Sequence, residues 1–196
     1  MNALLALSRW IDSLSTNIGR IVYWLVLIVS LISAFNATMR FTIDYSSNAW
    51  LEIQWYLFSA IFLLGGGYTL LRNEHVRIDV VSAHLSPRTR AWIDIGGLLL
   101  FVMPLCVMLV ALGVPYAKFS YVVGEVSSNA GGLIRWPAKA LIPLGFALLG
   151  VQAVSELIKR IGFLAGRIDD PNERKAHSAE EELALEIAAQ HGEVTR

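Results

Sequence analysis

Cysteine occurs once in this chain, as Cys106. A lone thiol has no partner within its own chain, which excludes a quinone-linked disulfide oxidase, since that chemistry needs paired cysteines. Cys106 reads instead as a small buried apolar residue. Histidine is almost as scarce: His75 and His84 fall in a polar loop and His177 and His191 in a polar tail. No apolar segment therefore offers an imidazole, which speaks against haem ligation inside a membrane. No group of His, Cys and carboxylate residues has metal-ligand spacing, and no phosphate-cradling glycine loop is present. The chain is not read as an enzyme and calls for no cofactor or metal.

Charge is scarce too. Only 16% of the residues are charged against 55% hydrophobic, and the mean hydropathy of +0.54 lies outside the range of a soluble domain. The formal net charge is zero, so nothing points to nucleic acid.

What the chain has is long apolar runs bounded by charges. Ile21 to Met39 lies between two arginines, Ile53 to Leu71 between Glu52 and Arg72, Ile95 to Ala117 between Asp94 and Lys118, and Ala140 to Ser155 between Lys139 and Glu156. The first three run about 19 to 23 residues and the fourth about 16, close to the roughly 20 that a helix needs to cross the hydrocarbon of a bilayer. The expected fold is all-α: a polytopic membrane protein with four transmembrane helices and short interfacial helices. Arginine and lysine set its orientation. Arg9 and Arg20 precede the first run, Arg72, Arg77, Arg88 and Arg90 separate the second from the third, and Lys159, Arg160, Arg167, Arg174 and Lys175 follow the fourth. The alternate loops hold only Arg40 and then Lys118, Arg135 and Lys139. This bias predicts cytoplasmic N- and C-termini and two outward-facing loops.

Three parts are expected. In residues 1–17, Leu4, Leu7, Ile11 and Leu14 recur at three- and four-residue steps, which suits an amphipathic helix in the headgroup layer. Residues 18–165 form the four-helix membrane domain. Residues 166–196 form a polar cytosolic tail, in which Asp169-Asp170-Pro171-Asn172 marks a turn and Glu180-Glu181-Glu182 opens a weakly amphipathic stretch.

The ionisable residues near the runs all sit at their ends. Arg90 lies four residues before Asp94 and Arg160 four after Glu156, the helical spacing of an ion pair. Glu52, in Trp50-Leu51-Glu52-Ile53-Gln54-Trp55-Tyr56, admits two readings: the polar start of an interfacial helix with Arg40 as counter-ion, or a contact to another subunit. Gly65, Gly66 and Gly67, Gly96 and Gly97, and Gly145 with Gly150 provide smooth faces where a backbone or a lipid can approach closely. Pro104 and Pro143 are expected to bend the third and fourth spans.

Three segments, taken in order, carry a resemblance. Glu52-Ile53-Gln54-Trp55-Tyr56-Leu57-Phe58 leads to Gly65-Gly66-Gly67-Tyr68; Asn73-Glu74-His75-Val76-Arg77-Ile78-Asp79-Val80 follows the second run; and Glu125-Val126-Ser127-Ser128-Asn129-Ala130-Gly131-Gly132 leads to Trp136-Pro137-Ala138-Lys139. Over roughly residues 15 to 165 the chain resembles the small membrane subunit of tripartite ATP-independent periplasmic (TRAP) transporters. The resemblance implies a protein of the bacterial inner membrane with three partners: a large permease subunit, a periplasmic solute-binding protein and membrane lipids. In such systems the large subunit carries a solute inward by an elevator movement coupled to sodium, while the small subunit braces the fixed scaffold. The solute implied is an organic acid or related compound, with the motifs leaning toward the branch for aromatic, mannitol-like or 2-oxo acid compounds. The motif positions Trp50, Glu52, Gln54, Gly65, Gly66, Gly67, His75, Arg77, Asp79 and Pro137 become candidates for subunit contact or structure. Arg40, Glu125 and Arg135, on the outer segments, join them as charges a soluble partner could meet. His75, Arg77 and Asp79 also read as a polar turn at the membrane surface, with Arg77 on a lipid phosphate or on Asp79.

Two other classes are weighed. A stand-alone four-helix exporter would need a membrane carboxylate in its first span, and Ile21 to Met39 has none. A membrane redox protein would need the cysteine or histidine ligands that the spans lack.

Overall fold

The structure is a computed structural model that describes residues 2–45, 47–72 and 85–170. Helix α1 (Asn2–Ile43) has 42 residues and α2 (Asn48–Arg72) has 25. Helix α3 (Pro87–Gly97) passes through a π-helical turn (Leu98–Val102) into α4 (Met103–Val122), and α5 (Trp136–Leu164) has 29 residues. The four apolar runs thus become four helices long and apolar enough to cross a membrane, α3 and α4 forming one of them. Among the described residues there is no strand, only one bridge between Val126 and Ile134.

Local chemistry explains the boundaries. The Ser86 side chain accepts the Thr89 N–H at 3.2 Å and Pro87 opens the first turn of α3, where its missing N–H costs nothing. The π-turn lies just before Pro104. In a regular helix the Pro104 ring would press on the carbonyl of residue 100. The widened turn relieves this, with the Met103 N–H reaching back five residues to the Leu98 carbonyl.

Helix α1 runs about 63 Å at 1.5 Å per residue, twice the roughly 30 Å of a hydrocarbon core. The sequence reading separates residues 1–17 from the span. The helix crosses that boundary without a break, and its first turns pack along α5 through Ser8, Ile11 and Ser15, all buried.

Helix α5 is the spine. Each other span touches it, and 33% of its most apolar window is buried, against 11% for α1, 11% for α2 and 17% for the third span. Ile95 and Leu98 meet Ala153 and Leu157 in a small core extended by Leu70, Met103 and Leu164. Glycine permits the closest crossings. A Cβ at Gly145 would lie 2.7 Å from the Leu63 carbonyl oxygen of α2, and one at Gly113 of α4 would lie 3.0 Å from Pro143 Cδ of α5. On their other sides the helices are bare: Trp24 and Leu31 of α1, Phe62 of α2, and Leu100, Phe101 and Leu112 of the third span are all exposed.

Candidate functional site

Two polar clasps, one at each end of the bundle, fix these helices to one another. The first joins the start of α2 to the segment 123–135. That segment folds back on itself: Ser127 N–H donates to the Leu133 carbonyl at 2.9 Å, Arg135 N–H donates to the Glu125 carbonyl at 2.9 Å, and Gly131 takes a φ of 70°. Glu52 closes the clasp. Its Oε1 accepts the Ser127 hydroxyl and the Asn129 side-chain amide at 3.0 Å, and its Oε2 accepts the Leu133 N–H at 2.7 Å. Gly132 must be glycine here, because a Cβ would stand 3.0 Å from Glu52 Oε1 and closer still to Ser127. The Asn48 amide donates to the Ala130 carbonyl at 3.0 Å and the Tyr56 hydroxyl to the Ile134 carbonyl at 2.9 Å.

Beside this clasp Lys139 pairs with Glu125 and lies 4.1 Å from the centre of the Tyr116 ring. The Lys139 ammonium, hydrogen-bonded to Glu125, holds that carboxyl below its ordinary value of 4.5. A cleft of about 360 Å³ opens between α2 and the start of α5, with Glu52, Trp55, Tyr56, Arg135 and Lys139 among its walls.

The second clasp, at the end carrying the N-terminus, joins α1, α3 and α5. Asp12 Oδ1 accepts the Ser155 hydroxyl at 2.7 Å and the Gln152 amide at 2.9 Å, and Asp12 Oδ2 receives Lys159 at 3.1 Å. The Ser15 hydroxyl donates to Gln152 Oε1 at 2.6 Å, and the hydroxyls of Ser8 and Ser155 lie 2.8 Å apart. Lys159 also meets Glu156 at 2.5 Å, and Arg160 bridges Asp94 at 3.2 Å and Glu156 at 3.7 Å. Gln152, Ser155 and Glu156 are fully buried, and Arg160 nearly so. Charges removed from water this far are tolerated only when paired and hydrogen-bonded.

The sequence candidates divide between these places. Glu52, Glu125 and Arg135 come together at the first clasp, and Pro137 lies in the first turn of α5. Glu52 is engaged by the loop of its own chain, while Arg40 stands exposed in the last turn of α1. Trp50 packs edge-on against Phe35 with ring centres 6.0 Å apart, and Gln54 accepts the Ser33 hydroxyl at 2.6 Å, so both tie α2 to α1. Gly67 is buried against Leu148 and Gln152, whereas Gly65 and Gly66 line an open groove of about 530 Å³. His75, Arg77 and Asp79 lie outside the described residues.

Sequence reasoning missed the second clasp, apart from the Glu156–Arg160 spacing. The signal was present. Ser8, Asp12 and Ser15 step by four and three, and Gln152, Ser155 and Lys159 by three and four, each a polar stripe on one face of an otherwise apolar helix. Among the described residues no group of His, Cys, Asp and Glu could hold a metal ion.

No curated protein and no solved structure matches the chain significantly. A family model does, over residues 29–162, and its description is "Tripartite ATP-independent periplasmic transporters, DctQ component". The matched stretch contains Glu52, the segment that clasps it, the whole of α2 to α4 and nearly all of α5, and leaves out the Asp12 side of the second clasp. A chain with four membrane-crossing helices, matched over most of its length by this one model, belongs to the DctQ family and is a small permease subunit of a TRAP transporter.

Proposed function

We propose that this subunit braces the fixed scaffold of the large permease subunit and helps dock the periplasmic solute-binding protein, for ion-coupled uptake of an organic acid or related solute. The membrane is the bacterial inner membrane. Both termini face the cytoplasm, and the Glu52 clasp faces the periplasm.

The uneven burial supports this reading most. A self-contained bundle buries a stripe of every helix against a shared core, but here α5 is the most buried span and the other spans keep wide apolar faces. In a membrane such faces meet lipid or another helix, and association rests on packing and small residues. The clasps give the brace stiffness, since they add polar ties at the two ends of helices that already pack along α5. For docking, Arg135 and the Glu125–Lys139 pair offer charge at the loop end, where rim charges govern encounter more than final affinity.

Co-expression with the large subunit tests the bracing role. A tag on this chain should retrieve the large subunit in stoichiometric amount through detergent purification. Recovery of this chain alone, from membranes that demonstrably contain both, would refute it.

A further inference from the structure

We infer that the cleft beside the Glu52 clasp receives an acidic side chain of the solute-binding protein, whose carboxylate pairs with Arg135. The inference rests on the docking role proposed above and names the chemistry that role would use. The cleft holds about 360 Å³ between α2 and the start of α5, and Leu51, Trp55 and Ala138 form its apolar wall. Four charged groups gather at this end: Glu52, Glu125, Arg135 and Lys139. Three of them are already engaged within the chain. Three donors converge on Glu52, and Glu125 and Lys139 hold each other. The two carboxylates lie near enough to attract Arg135, but each has partners of its own. The Arg135 side chain also lines the cleft, is exposed, and makes no hydrogen bond or ion pair with any described residue.

Arg135 is held ready for such a partner. Its backbone N–H donates to the Glu125 carbonyl at 2.9 Å, and the neighbouring Trp136 ring meets Tyr121 edge-on at 5.4 Å, so the chain that carries the guanidinium is fixed. A fixed fork loses less freedom on binding, and its parallel N–H groups match the two oxygens of a carboxylate. Trp55, 73% exposed, stands on the α2 wall. Tryptophan and arginine are among the residues that carry most of the energy of protein interfaces. A phospholipid phosphate would suit the arginine as well, but its acyl chain would need an apolar way into the membrane. Toward the membrane the cleft ends at Tyr56 and Lys139, whose polar ends are bound to the Ile134 carbonyl and to Glu125. That floor admits a short acidic side chain and stops a long hydrocarbon.

Surface plasmon resonance of the solute-binding protein over the assembled membrane complex in nanodiscs tests this. Arg135→Gln should weaken binding about tenfold, chiefly by faster dissociation, and Trp55→Ala by a similar factor. Both variants should still co-purify with the large subunit. Arg135→Glu should abolish binding, and a single reversal to lysine among the acidic surface residues of the solute-binding protein should restore it. Photo-cross-linkers at Trp55, in the cleft, and at Ser128, on the exposed part of the segment 123–135, separate the cleft from docking itself. Both should capture the solute-binding protein. Capture from Ser128 with only lipid or the large subunit labelled from Trp55, or Arg135→Gln binding that matches the unaltered chain, would overturn the cleft assignment and leave docking standing. Capture from neither position would remove the docking role and the cleft with it.

Discussion

Glu52 uses both carboxylate oxygens on its own chain, and three donors converge on it from residues more than seventy positions away. A glutamine there could accept on one side only and would turn an N–H2 toward a remaining donor. A hydrogen bond to a charged group is stronger than one to a neutral amide. Glu52→Gln should therefore lower the thermal midpoint of the purified chain and expose the segment 123–135 to added protease. An unchanged midpoint and cleavage pattern would show that the clasp contributes nothing to stability. Glu125 gives a prediction in pH. Its folded pKa lies below 4.5, so its pairing with Lys139 stabilises fully above about that pH and is lost as the pH falls through the lowered value. The gap in thermal midpoint between the unaltered chain and Glu125→Gln should be constant at neutral pH and close in acid. A gap that widens as the pH falls would contradict the assignment. The position of Glu52 was legible in the sequence, as a carboxylate set among tryptophans at a helix start. Its partners were not, because they reach it only after α2 and α5 have packed, and nearest-neighbour reasoning offered Arg40.

At the scale of the helix, glycines at similar depth differ in what they permit. A Cβ at Gly145 would press on the Leu63 backbone, which cannot turn aside as a side chain can; at Gly66 it would project into open space. Gly145→Ala should cost about 1 to 3 kcal/mol by forcing α2 from α5. Gly66→Ala should leave the unfolding midpoint unchanged or slightly raised. If both were tolerated equally, the close α2–α5 crossing would be wrong. The four spans themselves were readable at once, since hydrophobic length is a local property that needs no knowledge of packing. The exact course of α1 was not. Its first seventeen residues have the pattern of a surface helix, with Leu4, Leu7 and Trp10 exposed, while Ser8, Asp12 and Ser15 turn the same helix toward α5. An amphipathic pattern identifies two faces and does not say whether the polar face meets water or another polar stripe. Here serine, aspartate and glutamine satisfy one another inside the protein. The stripe on α5 was hidden in a similar way, because its residues lie among apolar neighbours and keep the average hydropathy of the segment high.

As a whole the molecule is organised around α5, pinned at both ends and bare along much of its sides. Rigid ends suit a part that must hold still while another moves, and bare sides suit one that is finished by lipid and a larger partner. The family match places this chain among the small permease subunits of TRAP transporters, and the central claim added here is that it supports transport without performing it. Solute uptake into proteoliposomes measures this most directly. The comparison is between this chain alone, the large subunit alone, and both together, each with the solute-binding protein outside and an inward sodium gradient. Uptake is expected only when both membrane subunits are present. Uptake by this chain alone, or an undiminished rate from the large subunit without it, would contradict the account.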